Sequence, residues 1–577
     1  MKKKLLPALI VTGLIILVVI IMGITALINK YTPTKKTEDL KEYFNISSDD
    51  EAALIVDNEL SDYKAKIIDK KIYVDYKFVH DSLNSRFYWD ANENVLLYTT
   101  ASDIISAAAE SNSYSVTKQT NDFGYPIVKA TSDSALIALD YVKQYSNITF
   151  KSYDDPARIV ITSKWDEIDS ATVSKSTQVR VKGGIKSPIL KEVKKDDKIT
   201  ILDSGNKWDK VATEDGVIGY IKSKALSESK KTKLTNPDYE EETFTHIKKD
   251  KDICLAWNQV TSKSANSKVP QVISSTKGIN VMSPTWFYLN DNNGNLADIA
   301  SKDYVSYCHS QGIEVWGLFS NFENTDVDAA YVLTHTSTRT TLINQIMSAA
   351  FNYELDGVNI DFENITEAAY GDSYIEFIRE LAIKCHNNGI SLSVDVTVPA
   401  SFNKFFNRSD MANFADYIVI MGYDEHYKGS DAGSVSSIPW VTEGVESTLK
   451  EVPADQIILG MPFYTRIWEL TPKEDDDAVT DTEDQSKYTV ASQVYSMDAA
   501  AAQLATNNAT AALDEESGQN YAEWSVSNKL YKVWLEDTTS LEKRLKLVDD
   551  NKLAGAAFWK LGFENSSVWD TVIKYLN

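Results

Sequence analysis

Eight apolar runs of strand length, separated by amphipathic stretches, fill the chain after His246, and they limit its fold more than any other feature. The runs are ICLAWNQV, INVMSPTWFYL, IEVWGLFSN, DGVNIDFE, ISLSVDVTVPA, DYIVIMGYDEHY, QIILGMPFYTRIW and LAGAAFWKLG. Between them lie segments such as YGDSYIEFIRELAIKCHNNG, with apolar residues at helical spacing. Strands covered on both faces read as nearly continuous apolar runs, and eight of them alternating with helices specify an α/β chain closed into a (β/α)8 barrel over residues 246–577. The connection from about Glu469 to Leu530 is too long for a simple crossover. It is expected to hold an inserted α+β subdomain that walls one side of a cleft.

Chemistry in such barrels sits at the C-terminal ends of the strands. In the fourth run, side chains alternate, so Asn359, Asp361 and Glu363 share one face while Val358, Ile360 and Phe362 face the helices. Two carboxylates and an amide therefore converge at the barrel mouth. No cation alternates with them, which disfavours a structural ion-pair ladder. A carboxyl group could serve there as an acid only if its surroundings raise its pKa, because an unperturbed Glu is roughly 0.2% protonated at pH 7. Glu363, beside Asp361 and facing an aromatic-lined pocket, has both a like charge and desolvation available to do this.

DGVNIDFE, Asp356 to Glu363, resembles the D-G-x-D-x-D-x-E signature of glycoside hydrolase family 18. MGYD at Met421 to Asp424, GMPFYTR at Gly460 to Arg466, and Trp559 at the end of the eighth run extend the resemblance over residues 246–577. It is nearest to the wall-lytic and spore-associated members of that family. The resemblance implies hydrolysis of β-linked N-acetylglucosamine glycans with retention of configuration, the substrate's own 2-acetamido oxygen acting as nucleophile. It makes Glu363 the general acid and then the general base. Asp361 would orient the acetamido N–H, Tyr423 would hydrogen-bond the acetamido carbonyl, Asp424 would meet sugar hydroxyls and Trp559 would floor the pocket. Trp257, Trp286, Tyr427 and Arg466 are candidates for sugar contact or for ordinary barrel packing. One departure stands out: the family's usual second aspartate is Asn359, which cannot share a proton with Asp361 but whose amide can donate to it.

The N-terminus bears on location. After Lys2, Lys3 and Lys4, residues 5–28 carry no charge, about 36 Å of helix at roughly 1.5 Å per residue, enough to span a bilayer. A cleavable signal peptide has a shorter apolar region and a small-x-small site, which is not found here. The expectation is a single-pass cell-membrane protein with residues 1–4 cytoplasmic, a linker over 29–48, and the catalytic domain extracellular. Residues 49–165 read as a duplicated α+β module, two units of strand, short helix and two strands. This module resembles the copper-amine-oxidase N-terminal-like repeats of bacterial envelope proteins and is assigned a spacer or wall-contact role. Residues 171–227 show short strands and an Asp215-Gly216 hairpin signal. With Trp208 and Gly219-Tyr220-Ile221 they resemble a bacterial SH3-like β-barrel that would contact wall peptides, though Trp208 and Tyr220 serve equally as core residues. A polar linker over 228–245 precedes the barrel.

A formal charge of −24 excludes nucleic acid as the expected partner, because phosphate binding draws on clustered Lys and Arg. The three cysteines, Cys254, Cys308 and Cys385, cannot pair completely and read as buried thiols. The mechanism needs no metal or other cofactor, and no ligand spacing suggests one. The acidic stretch KEDDDAVTDTEDQ lacks an EF-hand's glycine and terminal glutamate, and His426 is either a rim residue or a group titrating near the site. The expected partner is an N-acetylglucosamine-containing polysaccharide, peptidoglycan before chitin. A lectin-like, non-catalytic glycan binder is the alternative from another class, and a scaffold with a vestigial barrel is a third.

Overall fold

The computed structural model describes residues 5–365, 370–473 and 484–576. The acidic stretch at 473–485 therefore has its centre outside the described residues. The chain divides into two compact units: residues 1–89, 107–114 and 121–241, and residues 90–106, 115–120 and 242–577.

The first unit begins with a helix, Leu5–Tyr31, of which Pro7–Tyr31 is long and apolar enough to cross a membrane. Two strand–helix pairs follow, Lys71–Asp75 with Tyr76–Ser82 and Ala135–Ala138 with Leu139–Gln144. Their leading strands pair antiparallel, Leu136 opposite Asp75, within one mixed seven-stranded sheet. A second seven-stranded sheet spans residues 167–233 and contains the expected hairpin, Trp208–Thr213 and Ile218–Lys222, around Gly216 at φ +82°. Val179, Ile199, Val211 and Ile221 of this sheet share a core with Ala53, Ile55 and Phe44. Trp208 and Tyr220 lie outside that core and are half-buried.

The second unit is the barrel. Its strands are Ile253–Asn258 (β1), Val281–Leu289 (β2), Glu314–Ser320 (β3), Gly357–Asp361 (β4), Ser391–Thr397 (β5), Tyr417–Met421 (β6), Ile457–Pro462 (β7) and Gly555–Trp559 (β8). Neighbours pair in parallel all the way round, and β1 closes the ring by pairing with both β2 and β8. Alternation divides the side chains into two layers. Leu255, Trp257, Trp316, Leu318, Tyr417, Val419 and Ile458 fill the interior. Ala256, Val358, Ile360, Phe362, Ile418 and Leu459 pack outward on the helices. All three cysteines are buried and unpaired by disulfides. The insertion lies between β7 and β8 as a five-stranded antiparallel sheet with the helix Met497–Thr506. It runs from Tyr464 to Leu535, wider at both ends than the expected 469–530. Behind it Arg544 pairs with the buried Glu536 at 2.7 Å, and Glu536 accepts from Gln519 of the insertion, also at 2.7 Å.

Residues 90–106 fold with the barrel although they precede it by far in sequence. Asp90 caps the helix Thr336–Tyr353: its Oδ2 accepts from the Thr336 backbone N–H at 2.7 Å and from the Thr336 hydroxyl at 2.6 Å. Thr99 donates at 2.8 Å to the buried Glu376, which in turn pairs with Arg379.

The opening of the fourth run is structural. Asp356 Oδ2 accepts from the Val315 backbone N–H and lies 2.8 Å from His309 Nε2, at the end of the barrel away from the carboxylates. A Cβ on Gly357 would stand 2.5 Å from the Trp316 ring. Gly357→Ala should therefore overpack the barrel interior and destabilise the second unit by about 1–3 kcal/mol. Chemical denaturation followed by tryptophan fluorescence checks this, and a wild-type midpoint would contradict the packing argument.

Candidate active site

The ends of the strands surround a cavity of about 480 Å³ that holds Trp257, Glu323, Asp361, Glu363, Asp395, Tyr423, Asp424 and Trp559 among its lining residues. Asn359 and Asp361 stand on β4, and Glu363 lies two residues beyond that strand's last residue. Tyr423 and Asp424 follow β6. Their loop leaves the barrel where Gly422 donates its N–H to Gly460 O at 3.0 Å. A side chain at Gly422 would stand 2.7 Å from that oxygen, so the MGYD and GMPF motifs meet at one close backbone approach.

Asn359 is fully buried and is held at both ends of its amide. Its Oδ1 accepts from Trp257 Nε1 at 3.0 Å and from Ser283 Oγ at 2.9 Å, while its Nδ2 donates to Asp395 Oδ1 at 2.7 Å. This corrects the expectation that the amide would donate to Asp361. Asp395 on β5 takes the bond instead, so a second buried carboxylate is present, supplied by the neighbouring strand. The sequence carried a signal for it: Ser391, Ser393 and Asp395 alternate along an apolar run, as Asn359 and Asp361 do.

Burial is the main force raising both Asp361 and Asp395 well above the usual carboxylate range. For Asp361 the charges of Asp395, Glu363 and Glu323 add to it. For Asp395 the bond from Asn359 works the other way and Glu363 adds. Each carboxylate so placed makes ionisation of its neighbours harder. Asp361 Oδ1 is buried and has no hydrogen-bond partner among the described residues. Glu363 keeps a solvent-exposed face toward the cleft, yet the surrounding walls still partly desolvate its carboxyl. That desolvation, ahead of the Asp424 and Glu323 charges, holds Glu363 above the ordinary Glu range. Glu323 was not singled out from sequence. It lies on the loop after β3, where Ser320 Oγ donates to its carboxylate at 2.7 Å.

The aromatic residues divide sharply. Trp257 packs edge-on against Tyr423 and Trp559, with ring centroids 6.4 and 6.0 Å apart, and all three line the cavity. Desolvation, followed by the charges of Asp361, Asp395 and Glu363, keeps the Tyr423 hydroxyl protonated and able to donate. Trp286 is a correction. The alternation that turns Ser283 and Thr285 inward turns Trp286 outward, where it is fully buried, donates to Asn266 Oδ1 at 2.8 Å and packs on Tyr304. Tyr427 is 56% exposed and is not part of the cavity wall. Arg466 is also outside the wall, but its Nη2 is 3.7 Å from Asp424 Oδ1. The same carboxylate oxygen accepts from Tyr464 at 2.5 Å. His426 lies against the Ser434 carbonyl at 2.8 Å, away from the cavity.

Residues 319–564 match the family described as Glycosyl hydrolases family 18. Over 349 residues the chain is 23% identical to an uncharacterized glycosylase, YvbX, of Bacillus subtilis, covering 56% of this chain and 95% of that protein. It is 24% identical over 287 residues to the cortical fragment-lytic enzyme of the same organism, covering 48% of this chain and 63% of the relative. The crystal structure of the Bacillus cereus spore cortex-lytic enzyme SleL shares the fold, with a TM-score of 0.50 and 19% identity over 57% of this chain and 76% of that one. The five carboxylates that line the cavity all fall within the residues that match glycosyl hydrolases family 18, a stretch that is also similar to spore cortex-lytic enzymes, and the protein is a glycoside hydrolase.

Proposed function

We propose that the chain is a membrane-anchored enzyme of the outer cell surface that cleaves β-linked N-acetylglucosamine glycans, peptidoglycan before chitin-type oligosaccharides, by retaining, substrate-assisted catalysis. The observation that carries this reading is the unpartnered, buried Asp361 Oδ1 in the same cavity as Glu363. A buried acceptor left unsatisfied is costly, and a substrate acetamido N–H is the donor that would satisfy it.

The steps follow from the residues present. Glu363, held above the ordinary Glu range, gives its proton to the departing glycosidic oxygen. The acetamido oxygen closes on the anomeric carbon from the opposite side, while its N–H is held by Asp361 and the carbonyl by the Tyr423 hydroxyl. The Glu363 carboxylate then takes a proton from water, which opens the cyclic intermediate and restores the acid. Trp559 and Trp257 supply the apolar floor, and Asp424, braced by Tyr464 and Arg466, accepts from sugar hydroxyls. Asn359 serves by fixing Asp395 and Trp257. These steps use no metal or other cofactor.

Peptidoglycan as substrate is supported by the names of the relatives and by the envelope setting that residues 5–28 would give as an anchor. Residues 171–227 would act as an SH3-like contact to wall peptides, and residues 49–165 as a spacer.

The test uses the full chain in detergent, because a fragment beginning at residue 246 lacks residues 90–106. The wild type should release new reducing N-acetylglucosamine ends from peptidoglycan strands. Glu363→Gln should lower that rate by about 10²–10⁴-fold while binding persists. A wild type that binds glycan and releases no ends would replace this reading with the lectin-like one.

A pH profile tests the electrostatics. Activity requires protonated Glu363, so kcat/KM falls as pH rises through its pKa. Glu323→Gln removes a neighbouring negative charge, which lowers that pKa and moves the alkaline limb to lower pH. A limb that stays in place would show that Glu323 does not act on the acid.

A further inference from the structure

Five of the residues lining the cavity are carboxylic, namely Glu323, Asp361, Glu363, Asp395 and Asp424, and none is Lys or Arg. Such a surface suits a neutral glycan and repels an anionic one. Peptidoglycan strands freed of their stem peptides are anionic: every second sugar then carries a lactyl ether that ends in a free carboxyl group, which is amide-bonded where a peptide is attached, whereas a chitin-type chain carries none. A wall-lytic enzyme that takes peptide-free strands into this cavity needs a cation close by.

Lys560, the residue after Trp559, is such a cation. Its Nζ donates at 2.6 Å to Gln259 Oε1, and Gln259 is itself part of the cavity wall. Its ammonium stands 4.2 Å from the Phe563 ring centroid, and the residue is half-buried. Partial desolvation lowers its pKa, and among the described residues no carboxylate pairs with it. An ammonium has three donors. Gln259 occupies one, which leaves two for a ligand beside the cavity.

We propose that Lys560, steadied by Gln259 and Phe563, is a specificity residue that binds the free lactyl carboxylate of a peptide-free glycan strand lying across the cavity margin, and so selects such strands over peptide-substituted ones and over uniform N-acetylglucosamine chains. This rests on the reading of peptidoglycan as substrate. The ammonium offers two charge-assisted hydrogen bonds to a carboxylate and finds no anion on a chitin-type chain.

The experiment compares kcat/KM of the full chain on three substrates. These are peptide-stripped peptidoglycan strands with free lactyl carboxylates, the same strands after conversion of those groups to methylamides, and N-acetylglucosamine oligomers. The wild type should prefer free to amidated strands by about tenfold. Lys560→Met should abolish that preference and leave the oligomer rate unchanged, and Lys560→Arg should retain it. Equal wild-type rates on free and amidated strands would overturn the role of Lys560 while leaving peptidoglycan as substrate. An equal loss on all three substrates in Lys560→Met would overturn it in favour of a structural role. Wild-type cleavage of the oligomers alone would overturn the proposal together with the substrate reading beneath it.

Discussion

The site depends on placing two buried carboxylates, Asp361 and Asp395, side by side beneath the more exposed Glu363. An ionised carboxylate taken out of water is expensive, and like charges nearby add to the cost, so the arrangement persists only where a rigid scaffold imposes it. The closed parallel barrel is that scaffold. Its strand ends hold Asp361 and Asp395 on adjacent strands, and the backbone cannot relax to separate them without opening the ring. The neighbouring polar groups follow from this constraint. Asn359 donates from its amide nitrogen to Asp395, Trp257 and Ser283 hold the Asn359 carbonyl in turn, and Ser320 steadies Glu323.

The replacement of an aspartate by Asn359 also makes sense in these terms. A third carboxylate at that position would add another buried charge, whereas the amide supplies a donor and keeps an acceptor for Trp257. The amide rules out a proton shared through this residue, and Asp395 provides the carboxylate neighbour that raises Asp361.

Much of this was legible in the sequence because barrel strands obey a period of two. The split of the fourth run into Asn359, Asp361 and Glu363 against Val358, Ile360 and Phe362 follows from alternation alone. The same rule, applied further, would have moved Trp286 out of the site and brought Asp395 in; attention to aromatic identity obscured the first, and attention to one strand the second. Glu323 was less accessible, because it stands on a loop after β3 where no period fixes direction. Tyr427 and Arg466 lie outside the regular part of the barrel strands for the same reason. The ends of the insertion were misjudged because its first and last strands continue directly from barrel elements, with no turn composition to mark the change.

The placement of residues 90–106 bears on how the protein is made. Asp90 and Thr336 are 246 residues apart, so the cap of one barrel helix leaves the ribosome long before the helix it caps. That segment waits for its partner, with the Asp90 carboxylate meanwhile solvated. Completion of the catalytic unit is thus a late event that joins the two ends of the translation order, and the catalytic unit cannot be excised from the gene as one continuous stretch starting at the barrel.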